Sequence, residues 1–375
     1  MTDEMKITRV DVWPLRVPLA RPYHLSKLYG TLTHSDAVLL RLTLANGVTG
    51  WGEADPGGIN FDGETSESVA ATLRKRIPQI LGLDVGEWVE TGKGREYQGA
   101  AAAAIDVACY DALARAKQIP VYQLLGQQRV NKIPLLWPTS SGSADDDLAI
   151  IHEYHAQGFN TYMLKMGDRA ISDEVTRVHD LTGRLPGKVR VMVDANQGWS
   201  REEALTFARE TASLPIILIE QPVTASDYEG LKMMREVAGC PISVDESIQK
   251  PDEVAAIIDA DAADVFSIKI SKNGGLGNSL SIANRVRDAR KRVLMNSMIE
   301  LGVTQAASLH LGCTLDNLMD CGHAYMSTLR MADDVTDFSS WIDRGVAHLP
   351  DAQGLGVNIS IQKIQQYQVD EFHVS

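Results

Sequence analysis

The chain has 375 residues, 44% of them hydrophobic and 23% charged, which is ordinary globular usage and excludes a disordered chain, a collagen-like repeat or a disulfide mini-protein. Its formal net charge of −13 argues against a nucleic-acid or anionic-membrane binder, whose phosphate contacts need clustered Lys and Arg. Four scattered cysteines (Cys109, Cys240, Cys313, Cys321) form no CxxC pair, and the start MTDEMKITRV has no apolar core of a secretory signal. No apolar run approaches the ~18 residues that span a bilayer, so a soluble cytoplasmic protein is expected.

Residues 1–130 read as an α+β unit. Met5–Val17 and Asp36–Leu44 alternate in strand fashion, Asn46-Gly47 signals a hairpin, and Val48–Trp51 is the returning strand. Ser66–Ile80 and Gly99–Lys117 carry helical spacing, the second being alanine-rich and suited to close packing. Asp106 and Asp111 within it read as capping or surface-pairing residues.

From residue 131 to about 350 the texture changes. Short apolar runs (Ile133–Trp137, Thr161–Lys165, Val189–Asp194, Ile216–Glu220, Ile242–Asp245, Val265–Lys269, Val293–Ser297 and a weaker one near Leu318–Asp320) alternate with amphipathic helical stretches. That alternation predicts a parallel sheet wrapped by helices, and eight units point to a closed TIM-like barrel. No GxGxxG follows the first strand, which disfavours a dinucleotide site. Residues 351–375 form a loop and a last short strand expected to return to the first unit.

The informative feature is where the charges fall. Five consecutive strands are apolar until a charged last residue: Lys165, Asp194, Glu220, Asp245 and Lys269, at intervals of 29, 26, 25 and 24 residues. Each interval is one strand–helix unit, so all five side chains arrive at the C-terminal rim, where barrel enzymes keep their active sites. Three carboxylates between two lysines repel one another unless a cation joins them. An all-oxygen set without His or Cys favours Mg²⁺ over Zn²⁺.

These stretches resemble the enolase superfamily and, within it, the muconate-lactonising subgroup. WGEADP (Trp51–Pro56) is similar to the loop that closes over the barrel, and residues 104–126 to the cap-to-barrel segment. LKMG (Leu164–Gly167), VDANQGW (Val193–Trp199), IEQP (Ile219–Pro222), VDES (Val244–Ser247), IKISKNGG (Ile268–Gly275) and LPDAQGLGV (Leu349–Val357) follow in the family's order. RPYHLS (Arg21–Ser26) is similar to its mobile substrate-side loop. The resemblance implies a (β/α)7β barrel with an α+β cap, one Mg²⁺ on Asp194, Glu220 and Asp245, and Lys165 and Lys269 as acid/base groups on opposite faces of a carbon α to a carboxylate. An enediolate dianion stabilised by the metal is the superfamily's known chemistry. The implied activity is racemisation, epimerisation or cycloisomerisation of a small carboxylic acid. The alternatives are dehydration of a hydroxy acid or hydroxyproline-like substrate, and a non-catalytic ligand-binding barrel.

One departure stands out: the subgroup carries Lys-x-Lys at the second strand, and this chain has Met163-Leu164-Lys165. Lys165 must then owe any lowered pKa to the metal and to desolvation. Secondary candidates are Asn196 and Glu246 beside the ligands, Glu300 after strand seven, His24 and Tyr29 in the 20s loop, and Asp320 near the end of strand eight. Dipeptide epimerases of the family carry Asp-x-Asp at strand eight; Asp320 has no such partner, which disfavours that activity. Self-association into a homo-oligomer is expected by analogy.

Overall fold

The computed structural model describes residues 3–26 and 28–375. The cap is built on a four-stranded antiparallel sheet. Its strands run in the order Phe372–Val374, Ile7–Pro14, Val38–Leu44, Thr49–Ala54, so the C-terminal strand closes the sheet begun by the first. Asn46-Gly47 makes the expected hairpin, with Gly47 in the left-handed region at φ 84° and the Val48 N–H donating to Asn46 Oδ1 at 3.0 Å. The expected strand Met5–Val17 is broken. It ends at Pro14, and Val17–His24 instead pairs with Thr31–Ser35 in a separate hairpin that carries the 20s loop out over the barrel.

The helix Ser66–Ile80 appears as read, with Thr65 and Ser68 forming a capping box. The alanine-rich helix Ala100–Ala116 is buried on every side from Ala100 to Ala114. Its small side chains let the strand Thr49–Ala54 lie almost on its backbone. A Cβ added to Gly52 would stand 1.9 Å from the Ala104 carbonyl oxygen, and one on Gly50 2.2 Å from that of Ala108. Backbone cannot yield as a flexible side chain can, so Gly52→Ala is expected to cost at least the upper end of the ~1–3 kcal/mol typical of overpacking. Chemical denaturation measures this; an unchanged midpoint would contradict the tight approach.

Asp106 and Asp111 are neither on the surface nor idle. Asp106 accepts from Trp88 Nε1 (3.0 Å) and from the Gly277 N–H (3.0 Å), so it does cap a helix, but one belonging to the barrel (Leu276–Asp288). Asp111 accepts from the N–H groups of Trp51 (2.9 Å) and Leu355 (2.7 Å) and pairs with Arg115. Both are buried ties between cap, barrel and C-terminal segment.

The second layer is a (β/α)7β barrel. Seven parallel strands pair in chain order: Leu136–Pro138, Thr161–Lys165, Arg190–Asp194, Ile216–Glu220, Ile242–Val244, Val265–Ile268 and Arg292–Met295. The eighth position is reduced to two isolated parallel bridges, Val293 to Leu318 and Leu135 to His323, which close the ring. The run Ile133–Trp137 is not one strand. Lys132–Pro134 pairs antiparallel with Val346–His348 outside the barrel, and only Leu136–Pro138 enters it.

Helices Ala144–His155, Ile171–Thr182, Arg201–Thr211, Tyr228–Val237, Pro251–Asp259 and Leu276–Asp288 cover the barrel as the pattern predicts. A seventh, Gly302–Gly312, escapes the pattern because all of its residues are buried, leaving no polar face to mark its period. Among the described residues no helix is long and apolar enough to cross a membrane.

Candidate active site

Strand register sets the site. Lys165 lies opposite Asp194, Asp194 opposite Glu220, and Glu220 opposite Ser243, two residues before Asp245. Neighbouring strands run about 4.8 Å apart, so Lys165 and the three carboxylates occupy successive positions along one rim. Lys269 directly follows the sixth strand, across the barrel mouth from the second. The five side chains singled out by strand spacing are all buried.

Each carboxylate has its own surroundings. Asp194 accepts from the Asn196 N–H (2.9 Å) and from Lys165 Nζ. Glu220 accepts from Asn296 Nδ2 (2.8 Å) and Ser267 Oγ (2.5 Å). Asp245 lies between two ammonium groups, Lys272 at 2.6 Å from Oδ1 and Lys269 at 2.7 Å from Oδ2. The ammoniums thus hold the outer two acids, and among the described residues no three metal-binding side chains form a ready cage. The sequence reading has the trio converge; here the acids are aligned on adjacent strand ends but not closed on one point.

The donor set nonetheless fits a hard divalent cation. It is all oxygen and borne on rigid strand ends. Asp245 Oδ2, fully buried, has the ion-pair contact from Lys269 but no hydrogen bond of good geometry. Glu220 is pushed up to about 8, first by burial and then by Asp194 and Asp245, which is the repulsion a cation would relieve.

The lysines are tuned in opposing directions. Burial, the largest influence on Lys165, favours the neutral amine, but Asp194 beside it outweighs this and raises its pKa. Lys269 is raised in the same way, with Asp245 overcoming burial, and its ammonium stands 4.7 Å from the centre of the Phe61 ring. Lys272 is lowered, because burial prevails over its contact with Asp245. Asp245 is pulled down to about 2 despite its burial, by Lys269 and Lys272.

Lys272 is the residue that spacing missed. It sits in the loop after the sixth strand, where no periodicity marks it, yet its ammonium also donates to the Asp245 carbonyl (2.6 Å) and so fixes the backbone of that carboxylate.

The remaining candidates separate. Asn196 faces the cavity, accepts from Lys165 Nζ (3.3 Å) and donates to Glu246 Oε1 (3.3 Å). It has the left-handed φ of 45° seen again at Gln197 (63°) and Gln221 (36°), in the turns that leave the carboxylate strands. Glu246 lies behind Asn196, accepts from Tyr29 Oη (2.9 Å) and is raised to about 7 by burial, then by Asp245 and Asp194. Tyr29 lines the cavity and is braced by Gln197 Nε2 (3.0 Å).

Glu300 does not line the cavity. Its carboxylate gathers Ser297 Oγ, the Met298 N–H and Gln305 Nε2, shaping the loop that does. His24 sits on the outer rim against Thr31 and Asp168, away from the cavity wall. Asp320 requires correction. Its side chain is fully solvent-exposed, and Arg190, the first residue of the third strand, pairs with it at 3.7 Å, so it lies at the opposite end of the barrel. The eighth position is too irregular for its end to be read from sequence; its mouth side carries Ala324 and Met326.

Glu220 and Glu246 have folded-state pKa values above those of the unfolded chain, as does Glu53 at the cap–barrel junction (about 7, raised by burial). Between about pH 5 and pH 8 the folded protein therefore holds protons that the unfolded chain has lost, and its stability falls as pH rises. Thermal melts of metal-free protein should show this fall. Mg²⁺ should raise the midpoint far more at pH 8 than at pH 5; equal shifts at both would contradict a carboxylate site.

Residues 7–126 match the mandelate racemase / muconate lactonizing enzyme N-terminal domain family, and residues 148–363 the enolase C-terminal domain-like family. Muconate cycloisomerase 1-2 of Acinetobacter lwoffii is 31% identical over 98% of this chain and 96% of its own. The crystal structure of N-succinyl Arg/Lys racemase from Bacillus cereus superposes with a TM-score of 0.91 at 26% identity, covering 99% of this chain and 100% of that one. A dipeptide epimerase from Enterococcus faecalis, complexed with Mg and the dipeptide L-Leu-L-Tyr, gives 0.87 at 26% identity over 94% and 100%. The chain belongs to the enolase superfamily, as an enzyme of its mandelate racemase/muconate lactonizing branch.

Proposed function

We propose that the protein is an isomerase that moves a proton at the carbon α to the carboxylate of a small organic acid. One observation carries this reading: two buried lysines, Lys165 and Lys269, face a single cavity from opposite sides of the barrel mouth, with three carboxylates on the strand ends between them. Asp194, Glu220 and Asp245 would hold one Mg²⁺. When bound, that ion supplies positive charge beside the substrate carboxylate and so acidifies the α-proton and stabilises the charge that grows as it leaves.

The chain's own groups do the rest. One lysine, as the neutral amine, takes the proton from one face and the other, as the ammonium, returns a proton to the opposite face, which inverts the carbon. Asp194 and Asp245, which hold both lysines as ammoniums in the absence of the ion, would loosen that hold on the base when they turn to Mg²⁺. Asn196 holds Lys165 Nζ from the side, and Asp245 holds Lys269. Tyr29 of the hairpin and Phe61 of the 50s loop pack together, ring centres 5.5 Å apart, and both line the cavity. The relatives' names, which include a cycloisomerase, a racemase and an epimerase, support an isomerase without fixing which acid is turned over.

The experiment is a screen of carboxylic acids in D₂O with Mg²⁺, read by NMR together with a product assay. Exchange of the α-proton with inversion or isomerisation supports the proposal. A keto or imino product would replace it with elimination, and the absence of exchange across the library would overturn it.

A further inference from the structure

The cavity between the 20s hairpin, the 50s loop and the barrel mouth has a volume of about 220 Å³. Among the described residues that line it, only Lys165 and Lys269 are charged, and both are engaged by the acids at its floor. The rest of the lining carries no charge and is contributed mainly by apolar side chains, among them Leu25, Ile59, Met163, Met298, Ile299 and Met326. Ile59 remains 69% exposed although it is a large hydrophobe on the rim of this cavity. Arg330, whose guanidinium lies outside this lining, has no carboxylate partner among the described residues, and its buried Nε has no hydrogen bond. It donates to the Pro138 carbonyl and lies 4.0 Å from the Tyr23 ring centre and 4.9 Å from that of Trp137.

Ile299 is the unusual member. It has a φ of 72°, in the left-handed region that a β-branched residue rarely adopts. The loop imposes it: the Ile299 N–H donates to Ser297 Oγ (3.0 Å), and Glu300 fixes both Ser297 Oγ (2.5 Å) and the Met298 N–H (2.6 Å). A strained backbone of this kind persists only where its surroundings over-determine it, and such positions cluster at ligand sites. Here the strain sets an apolar side chain on the cavity wall where glycine would be the relaxed choice.

We infer that the substrate is a carboxylic acid whose distal part is uncharged and apolar, and that Ile299 determines this specificity. The inference rests on the proposed reaction site. A second carboxylate or a free ammonium on the tail would be stripped of water against a wall whose own residues, apart from Lys165 and Lys269, carry no charge, which is a costly burial. An alkyl or aryl tail gains from the same surface.

The test is calorimetric titration of the full chain, loaded with Mg²⁺, with N-acetyl-, N-pentanoyl-, N-succinyl- and N-β-alanyl-alanine. The pentanoyl compound is expected to bind at least ~10-fold more tightly than the succinyl or β-alanyl one. Ile299→Gly should lose about 10-fold in affinity for the pentanoyl compound and little for the acetyl one. Equal or tighter binding of either charged tail would overturn the substrate class; unchanged pentanoyl affinity in Ile299→Gly would overturn the role of Ile299. Exchange in D₂O measured on the same compounds separates this from the proposed reaction. The expected binding order without exchange supports the inference and sinks the reaction, whereas exchange with the reverse order does the opposite.

Discussion

Lys165→Ala and Lys269→Ala are each expected to lower isomerisation by about 10²–10⁴-fold, the usual worth of a positioned acid or base, but to differ in what survives. With bases on opposite faces, each enantiomer presents its α-proton to only one lysine. Lys165→Ala should therefore abolish exchange from one enantiomer and spare the other, and Lys269→Ala should do the reverse. Proton NMR of the separate enantiomers in D₂O checks this. Equal loss from both enantiomers in both variants would mean that the two groups act as one structural unit.

Stability should differ as well. Lys269→Ala leaves Asp245 its second ammonium from Lys272, whereas Lys165→Ala removes the only ammonium on Asp194 found among the described residues. Metal-free Lys165→Ala should accordingly melt lower than metal-free Lys269→Ala, because a buried charge left unpaired is destabilising.

Glu220→Gln has the second large effect, with opposite signs in two measurements. The amide keeps the size of the side chain; its oxygen can still accept from Asn296 Nδ2, and its NH2 can donate to the Ser267 hydroxyl in place of the bond that Glu220 accepts there. It removes the middle charge of three, so the metal-free protein should become more stable at pH 8, where the native Glu220 is forced to ionise. The same change removes a first ligand of the proposed ion. Loss of supporting groups around a metal costs roughly 10–100-fold in affinity, and loss of a ligand itself should cost at least that. Isothermal titration with Mg²⁺ and pH-resolved melts read the two effects separately. A variant that is destabilised at pH 8 yet binds Mg²⁺ normally would remove Glu220 from the proposed ligand set.

Much of this was legible in the sequence because strand ends are punctuated. Lys165, Asp194, Glu220, Asp245 and Lys269 each close an apolar run, and one strand–helix unit separates each from the next, so position along the chain maps directly onto the rim. The same logic fails where strands fade. The eighth position has only isolated bridges, and reading Asp320 as its mouth end set that side chain at the wrong end of the barrel. Lys272 lies in a loop, where no period signals burial, although it touches Asp245 as closely as Lys269 does.

Asp106 and Asp111 mislead in another way. A carboxylate in an alanine-rich helix suggests a solvent face, but this helix is enclosed by cap and barrel, and its acids serve backbone N–H groups of other segments. Met163 is the informative departure from the family pattern. It shares a strand face with Lys165 and lines the same cavity, so an apolar surface stands where the subgroup carries a second lysine.

The most direct measurement of the central claim is a crystal structure of the protein with Mg²⁺ and a bound carboxylic acid. The account predicts one ion bonded at about 2.0–2.1 Å to oxygens of Asp194, Glu220 and Asp245, with the amines of Lys165 and Lys269 on opposite faces of the acid's α-carbon. An ion bound away from these three residues, or both amines on the same face, would contradict it.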